Sequence, residues 1–210
     1  MTTGLERARQ KMADAGATGA AIDVFTHYYG QLGAAGGGFI REDDIEPLTD
    51  LPRLSAVDVD PDDARNALAR TVMIKLNGGL GTSMGLDGPK TLLPVRGRKT
   101  FLDIIVSQVL HARERYDVRL PLLFMNSFRT REATLDHLSI YDELPVGDLP
   151  IDFLQGFEPK LTVDGLEPVE WPADPELEWC PPGHGDIYTA LVGTGLLDRL
   201  IDEGFRYVSI

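Results

Sequence analysis

The chain has 210 residues, 43% of them hydrophobic, with 20 Lys and Arg against 33 Asp and Glu, a formal net charge of −13. That balance argues against nucleic acid as a partner, because backbone binding needs clustered Lys and Arg. No apolar run approaches the ~18 residues of a membrane span, and the charged N-terminus lacks the apolar h-region of a secretory signal. The lone Cys180 excludes an intrachain disulfide and a cysteine-rich zinc site, and fits a reducing, cytoplasmic setting.

Two hundred and ten residues suffice for one large α/β domain, or one domain with a small appendage. Residues 4–33 read as one helix or two short ones. Leu5, Ala8, Met12 and Ala15 form a helical stripe, and Ile22, Val24, Phe25, Tyr28, Tyr29 and Leu32 resume it after a break at Gly16–Gly19. His27 is expected to pack rather than to ligate, since no second ligand stands at metal spacing. The glycines of 34–38 read as a flexible joint, and 39–60, with two prolines and many acids, as an extended connector. Asp60-Pro61-Asp62-Asp63 then caps a short helix over Ala64–Arg70.

Residues 72–95, VMIKLNGGLGTSMGLDGPKTLLPV, organise the rest. Val72, Met73, Ile74 and Leu76 predict a buried strand of an α/β sheet. Asn77, Gly78, Gly79, Gly81 and Gly85 follow as a loop whose backbone can be approached closely, and Lys90 stands just beyond it. Backbone N–H groups and a nearby lysine suit a polyphosphate. It is not a P-loop, because Lys90 follows Pro89 and no glycine pair has the required spacing. Nor is it a Rossmann fingerprint: Gly79-Leu80-Gly81 begins one, but Gly85 comes one residue late. Between Thr71 and Thr100 five basic residues face Asp87 alone, whereas between Ser139 and Glu178 eleven acids accompany only Lys160. An anionic substrate would be steered toward the first region, and the second reads as a solvated face.

After the loop, Thr100 begins a helix whose buried face is expected to be Phe101, Ile104, Ile105, Gln108, Val109 and Ala112. Arg113 and Arg115 lie near its C-terminus, where cations are favoured. Leu120–Asn126 predicts a second buried strand, Arg129–Tyr141 a short helix, and Ile151–Gln155 a third strand. Asn126-Ser127 and Gln155 stand at strand carboxyl ends, where doubly wound sheets gather ligands. A glutamine amide, with donor and acceptor, can read a pyrimidine edge. Residues 157–178 read as a two-stranded flap or an irregular insertion. In Trp179-Cys180-Pro181-Pro182-Gly183-His184-Gly185-Asp186, two prolines stiffen the approach and two glycines flank a histidine at the start of a helix over Asp186–Leu197. An imidazole N–H and a helix N-terminus there suit a phosphate or sugar oxygen. Phe205–Ile210 is a last apolar strand, an odd place for a chain to stop.

Leu76–Lys90 resembles the nucleotide-binding loop of eukaryotic-type UTP–glucose-1-phosphate uridylyltransferases. PLLFMNSFRT at 121–130 resembles a second segment of the family, and PPGHGD at 181–186 a third. Relatives acting on N-acetylhexosamine phosphates usually carry Arg-Leu where this chain has Ser83-Met84; Asp87 departs from the family's usual basic residue. The resemblance implies a Rossmann-like (GT-A-like) nucleotidyltransferase fold, a mixed sheet flanked by helices, in truncated form. Residues 1–70 would be a helical leader and connector, and 71–210 the N-terminal portion of the catalytic domain.

It further implies uridylyl transfer from UTP to glucose 1-phosphate with Mg²⁺. Leu76, Asn77, Gly78, Gly79, Lys90, Gln155 and Gly183 would bind nucleotide, with Lys90 catalytic; Gly78, Gly79 and His184 would bind the sugar phosphate. No metal ligand is expected within the chain, since the family's metal-binding Asp would follow Ile210. The alternatives are the same chemistry on N-acetylglucosamine or galactose 1-phosphate, or a non-catalytic nucleotide-binding module.

Overall fold

The computed structural model describes residues 3–32, 40–86 and 88–210; the expected joint at 34–38 and the family departure at Asp87 lie outside them. The N-terminal stripe forms two helices, α1 (Gly4–Asp14) and α2 (Gly19–Tyr29). Thr3 and Thr18 cap them by accepting from the amides of Glu6 and Ala21. His27 does not pack: it is exposed on α2, its Nε2 2.9 Å from Nε2 of Gln31 and its ring edge-on to Tyr28. The connector over 40–60 holds only single 3₁₀ turns at Glu42–Asp44 and Leu54–Ala56. Asp60 caps α3 (Pro61–Ala69), which starts three residues earlier than expected because Pro61 fits its first turn.

The central strand β1 (Thr71–Asn77) is followed by the glycine loop, a 3₁₀ turn at Lys90–Leu92 and a small hairpin of β2 (Pro94–Arg96) and β3 (Lys99–Thr100). Next come α4 (Phe101–Tyr116), β4 (Leu122–Asn126), α5 (Phe128–Leu138) and β5 (Asp152–Leu154). The flap ribbon of β6 (Glu158–Pro159) and β7 (Trp179–Cys180) follows, then α6 (Asp186–Gly193), α7 (Leu196–Asp202) and β8 (Tyr207–Ser209). The helix expected over 186–197 is therefore two, parted by Gly195 in the left-handed conformation at φ +70°.

Four strands form one sheet in the order β5-β4-β1-β8, all parallel; among the described residues, antiparallel strand pairs are confined to the two short ribbons. Side chains alternate across the sheet. Val72, Ile74, Leu123, Met125 and Phe153 pack with Ile187, Leu191, Leu196 and Leu200 of α6 and α7, while Leu122 and Phe124 pack with Leu102, Val106, Val109 and Leu138 of α4 and α5. Burial on both faces is why β4 reads as an unbroken apolar run. On α4 the buried residues are Leu102, Val106 and Val109; the expected Phe101 and Gln108 are exposed. Of the other expected residues, Val109 is buried, and Ile105 and Ala112 pack partly buried against the same core.

Arg113, in the last turn of α4 as expected, donates to the carbonyls of Leu120, Glu143 and Leu144. Asp103 joins α4 to the α5 region: Tyr141 Oη donates to it at 2.7 Å and His137 Nε2 lies 2.6 Å away. Burial alone would raise its pKa, but hydrogen bonds from the Thr100 amide, Tyr141, His137 and the Thr100 hydroxyl outweigh it and hold the carboxyl well below the usual range. A depressed folded pKa gives stability that is complete above the unfolded value of about 3.9 and lost as pH falls below it. Asp103→Asn is expected to lower stability at pH 7 and flatten the acid limb below about pH 4. Urea midpoints measured from pH 7 to pH 2.5 check this; parallel limbs for the two proteins would contradict it.

Candidate nucleotide site

The register of the sheet builds the site. Asn77 lies opposite Asn126, and Asn126 opposite Leu154, so β1, β4 and β5 end level. The residues just past those ends, Gly78, Ser127 and Gln155, therefore meet at one edge.

Just below that edge is a buried polar network. Asn77 Nδ2 donates to Asn126 Oδ1 and to Thr134 Oγ1, both at 2.8 Å, and Thr91 Oγ1 donates to Asn77 Oδ1 at 2.6 Å. Asn126 Nδ2 donates to Asp152 Oδ2 at 3.1 Å, and Arg131 grips the same carboxylate from Nε at 2.7 Å. A satisfied network of this kind rigidifies its surroundings, since any unpaired member would be costly. The Asn77 side chain is thus taken up within the network that locks the strand ends, while Leu76, only partly buried, packs against the core on the α6 side. Ser127 likewise caps α5, its amide donating to Thr130 Oγ1 at 2.9 Å.

The glycine loop folds back on itself. The amide of Gly81 donates to the Gly88 carbonyl at 2.9 Å and that of Lys90 to the Gly79 carbonyl at 3.3 Å, so Lys90 returns to the strand end. The amides of Gly78 and Gly79 make no hydrogen bond to any described residue. Gly78 is required by close approach: a Cβ there would lie 2.7 Å from Gln155 Cδ, with the amide oxygen nearer still. A Cβ on Gly79 would touch the Lys90 stem at 3.9 Å. The structure therefore brings Gly78 to Gln155 and Gly79 to Lys90. Lys90 is exposed and has no ion pair with a described residue.

Gln155 opens into a cavity of about 370 Å³ walled by Phe128, Phe157, Trp179 and Pro181. The rings of Phe128, Phe157 and Trp179 run in series, with centroids 5.6 and 5.0 Å apart. Sequence reasoning missed Phe157 and gave Trp179 no role of its own; the signals were the position of Phe157 beside Gln155 and that of Trp179 at the head of the double-proline stretch. Cys180 also lines the cavity, but burial pushes its thiol up, which disfavours a reactive thiolate. Gly183 adopts φ +104°, a conformation that glycine alone takes readily, and His184 is exposed beside it. The two sit between Pro181 at the cavity and α6, and His184 touches neither Lys90 nor Gln155 through a hydrogen bond. Asp186, buried at the start of α6, accepts from the Gly156 amide and so ties this loop to the turn after Gln155. Apolar planes with one convergent amide, next to a cationic loop, suit a heterocyclic base attached to a polyphosphate.

Residues 22–210 match the family model described as UTP–glucose-1-phosphate uridylyltransferase. The UTP–glucose-1-phosphate uridylyltransferase 2 of Dictyostelium discoideum is 43% identical over 144 residues, covering 68% of this chain and 28% of that protein. The Solanum tuberosum UTP–glucose-1-phosphate uridylyltransferase is 36% identical over 167 residues, 79% of this chain and 34% of that one. A UDP-glucose pyrophosphorylase variant from Leishmania major, solved in complex with UDP-glucose, superposes with a TM-score of 0.91 at 38% identity, over 99% of this chain and 43% of that one. A Trypanosoma brucei UDP-glucose phosphorylase superposes with a TM-score of 0.88 at 38% identity, over 98% of this chain and 44% of that one. The chain thus spans about a third of the length of these curated relatives. With that match running from α2 through the glycine loop to β8, the chain belongs to the UTP–glucose-1-phosphate uridylyltransferase family.

Proposed function

We propose that the protein transfers a uridylyl group from UTP to glucose 1-phosphate, giving UDP-glucose and pyrophosphate. The observation that carries this reading is the meeting of Gly78, Gly79, Lys90 and Gln155 at the level ends of three parallel strands, beside an aromatic cavity. The Leishmania major relative, bound to UDP-glucose, supports it. Residues 71–210 then form the N-terminal portion of the catalytic domain, and 1–70 a leader whose helices lean on it.

A phosphate oxygen of glucose 1-phosphate attacks the α-phosphorus of UTP. One P–O bond forms, the bond from the α-phosphorus to the bridging oxygen breaks, and pyrophosphate leaves with the electron pair. The nucleophile is already an anion, so no general base is needed. Catalysis comes from bringing two anions together and neutralising the charge that develops. Lys90 and the amides of Gly78 and Gly79 hold the triphosphate. Gln155 and Gly183 face the uracil, and His184 the sugar phosphate.

Mg²⁺ belongs to this reading through the family resemblance. Among the described residues, no three His, Cys, Asp or Glu come together, and no step here runs through the ion. No described helix is long and apolar enough to cross a membrane, and we place the reaction in the cytoplasm.

The test is product analysis of the intact gene product given UTP and glucose 1-phosphate. Pyrophosphate and UDP-glucose appearing one for one is the expected result. Inorganic phosphate instead, or no turnover, overturns the reading.

A further inference from the structure

We infer that Lys11, on the N-terminal helix, is a positioning residue for the nucleotide cavity, acting through the flap that forms its outer wall; this rests on the function proposed above. The flap has little pairing of its own: the backbone bonds of Lys160 to Glu178 and Val169, a bond from Thr162 to Glu167, and one bridge between Leu161 and Pro168 extend a short ladder. Its β6–β7 ladder pairs only Glu158 with Cys180 and Pro159 with Trp179, and a two-stranded ribbon is marginal alone even when it is longer. Yet Phe157, just before that ladder, and Trp179, within it, supply the aromatic wall facing Gln155.

Support comes from α1 and α2. Ala8, Met12 and Phe25 form a small core with Leu161 and Trp179, and Tyr29 Oη donates to the Leu166 carbonyl at 2.9 Å. Lys11 stands at the centre. Its ammonium donates to the Val169 carbonyl at 2.6 Å and to the Glu178 carboxylate, and lies 5.4 Å from the centroid of the Trp179 ring. Val169 and Glu178 flank the outgoing arm from either side, the Val169 amide donating to the Lys160 carbonyl and the Lys160 amide to the Glu178 carbonyl, both at 2.8 Å, so a single cation joins the two segments that hold that arm. Glu178 in turn accepts from the Trp171 amide at 2.6 Å, and the Lys11 hydrogen bond holds its carboxyl below the usual range. Lys11 and Glu178 are only 18% and 14% exposed, so solvent screens the pair weakly. Ala15, one turn on from Lys11, reaches the cavity wall itself. The same helix that holds the flap therefore also borders the space the flap encloses.

The experiment is steady-state kinetics of the intact gene product with UTP varied at saturating glucose 1-phosphate, for K11M, E178Q and the double variant. Expected is a rise of about tenfold in the KM for UTP in K11M, with kcat changed less, and no further rise in the double variant, because both changes cut one tie. A residue that merely stabilised the fold would lower Tm and leave KM unchanged. If the unsubstituted protein makes no UDP-glucose, the function proposed above falls and takes this inference with it. If it does, a KM for UTP within about twofold of the unsubstituted protein in both single variants, or additive effects in the double variant, overturns the role of Lys11 alone. Should K11M not fold, E178Q decides by the same KM comparison.

Discussion

Replacing Lys90 by alanine is expected to lower kcat of the intact protein by about 10²–10³-fold, the loss typical of removing one preorganised charge-stabilising donor. The residue is placed for that role from both ends. Its amide is tied to the Gly79 carbonyl at 3.3 Å, which fixes the root of the side chain. Its stem runs past Gly79, and its ammonium has no carboxylate partner among the described residues. A cation with no described carboxylate partner, beside amides that bond no described residue, is a standing site for phosphate oxygens. At 4 Å and an effective dielectric of about 20, one such charge is worth on the order of 4 kcal/mol against one unit of negative charge, enough for the expected loss. The fold should not suffer, since the side chain is exposed and contributes little to the core. Single-turnover and steady-state rates, with thermal melts as control, check this. Near-normal turnover would remove Lys90 from the machinery.

Gly78→Ala is expected to weaken UTP binding about 10–100-fold while changing stability by less than about 1 kcal/mol. The new methyl would occupy the place of the Gln155 amide group. That amide is the far end of a flexible side chain, so the cheapest response is for Gln155 to swing away. The strand ends stay locked, because Asn77, Asn126 and Asp152 bond one another without involving Gln155. The cost therefore falls on the base, which loses a donor and an acceptor, each worth roughly 0.5–1.5 kcal/mol. Calorimetric titration with UTP, beside urea unfolding, separates the two effects. A large stability loss with unchanged affinity would show that Gly78 serves the fold and not the ligand.

Much of the site was legible because its signals are local. A strand followed by clustered glycines and a lysine is contiguous, and so is a histidine between glycines ahead of a helix. The strands were legible for a similar reason: a parallel sheet covered on both faces writes itself as apolar runs such as Leu122–Met125. What escaped was whatever depends on distant residues meeting. Asn77, Thr91, Asn126, Thr134 and Asp152 form one network from five separate places, and nothing in their spacing announces it. On α4, Val109 was read correctly, but Phe101 and Gln108 were taken for Leu102 and Val106, because neighbouring positions share the helical period and only docking on the sheet decides between them. The role of the leader was hidden too. Helical periodicity shows that Lys11 is on a helix, but not that the helix holds a flap more than a hundred residues away.

The most direct test of the site is where a uracil nucleotide lands. Irradiation of the intact protein with 4-thio-UTP, followed by mapping of the modified peptides, is expected to mark the residues around Gln155, Phe157 or Trp179, with UTP but not ATP suppressing the label. Label concentrated elsewhere, for instance on the basic face of Arg96, Lys99 and His111 on the β2–β3 hairpin and α4, would contradict the account. Equal suppression by ATP would contradict it as well.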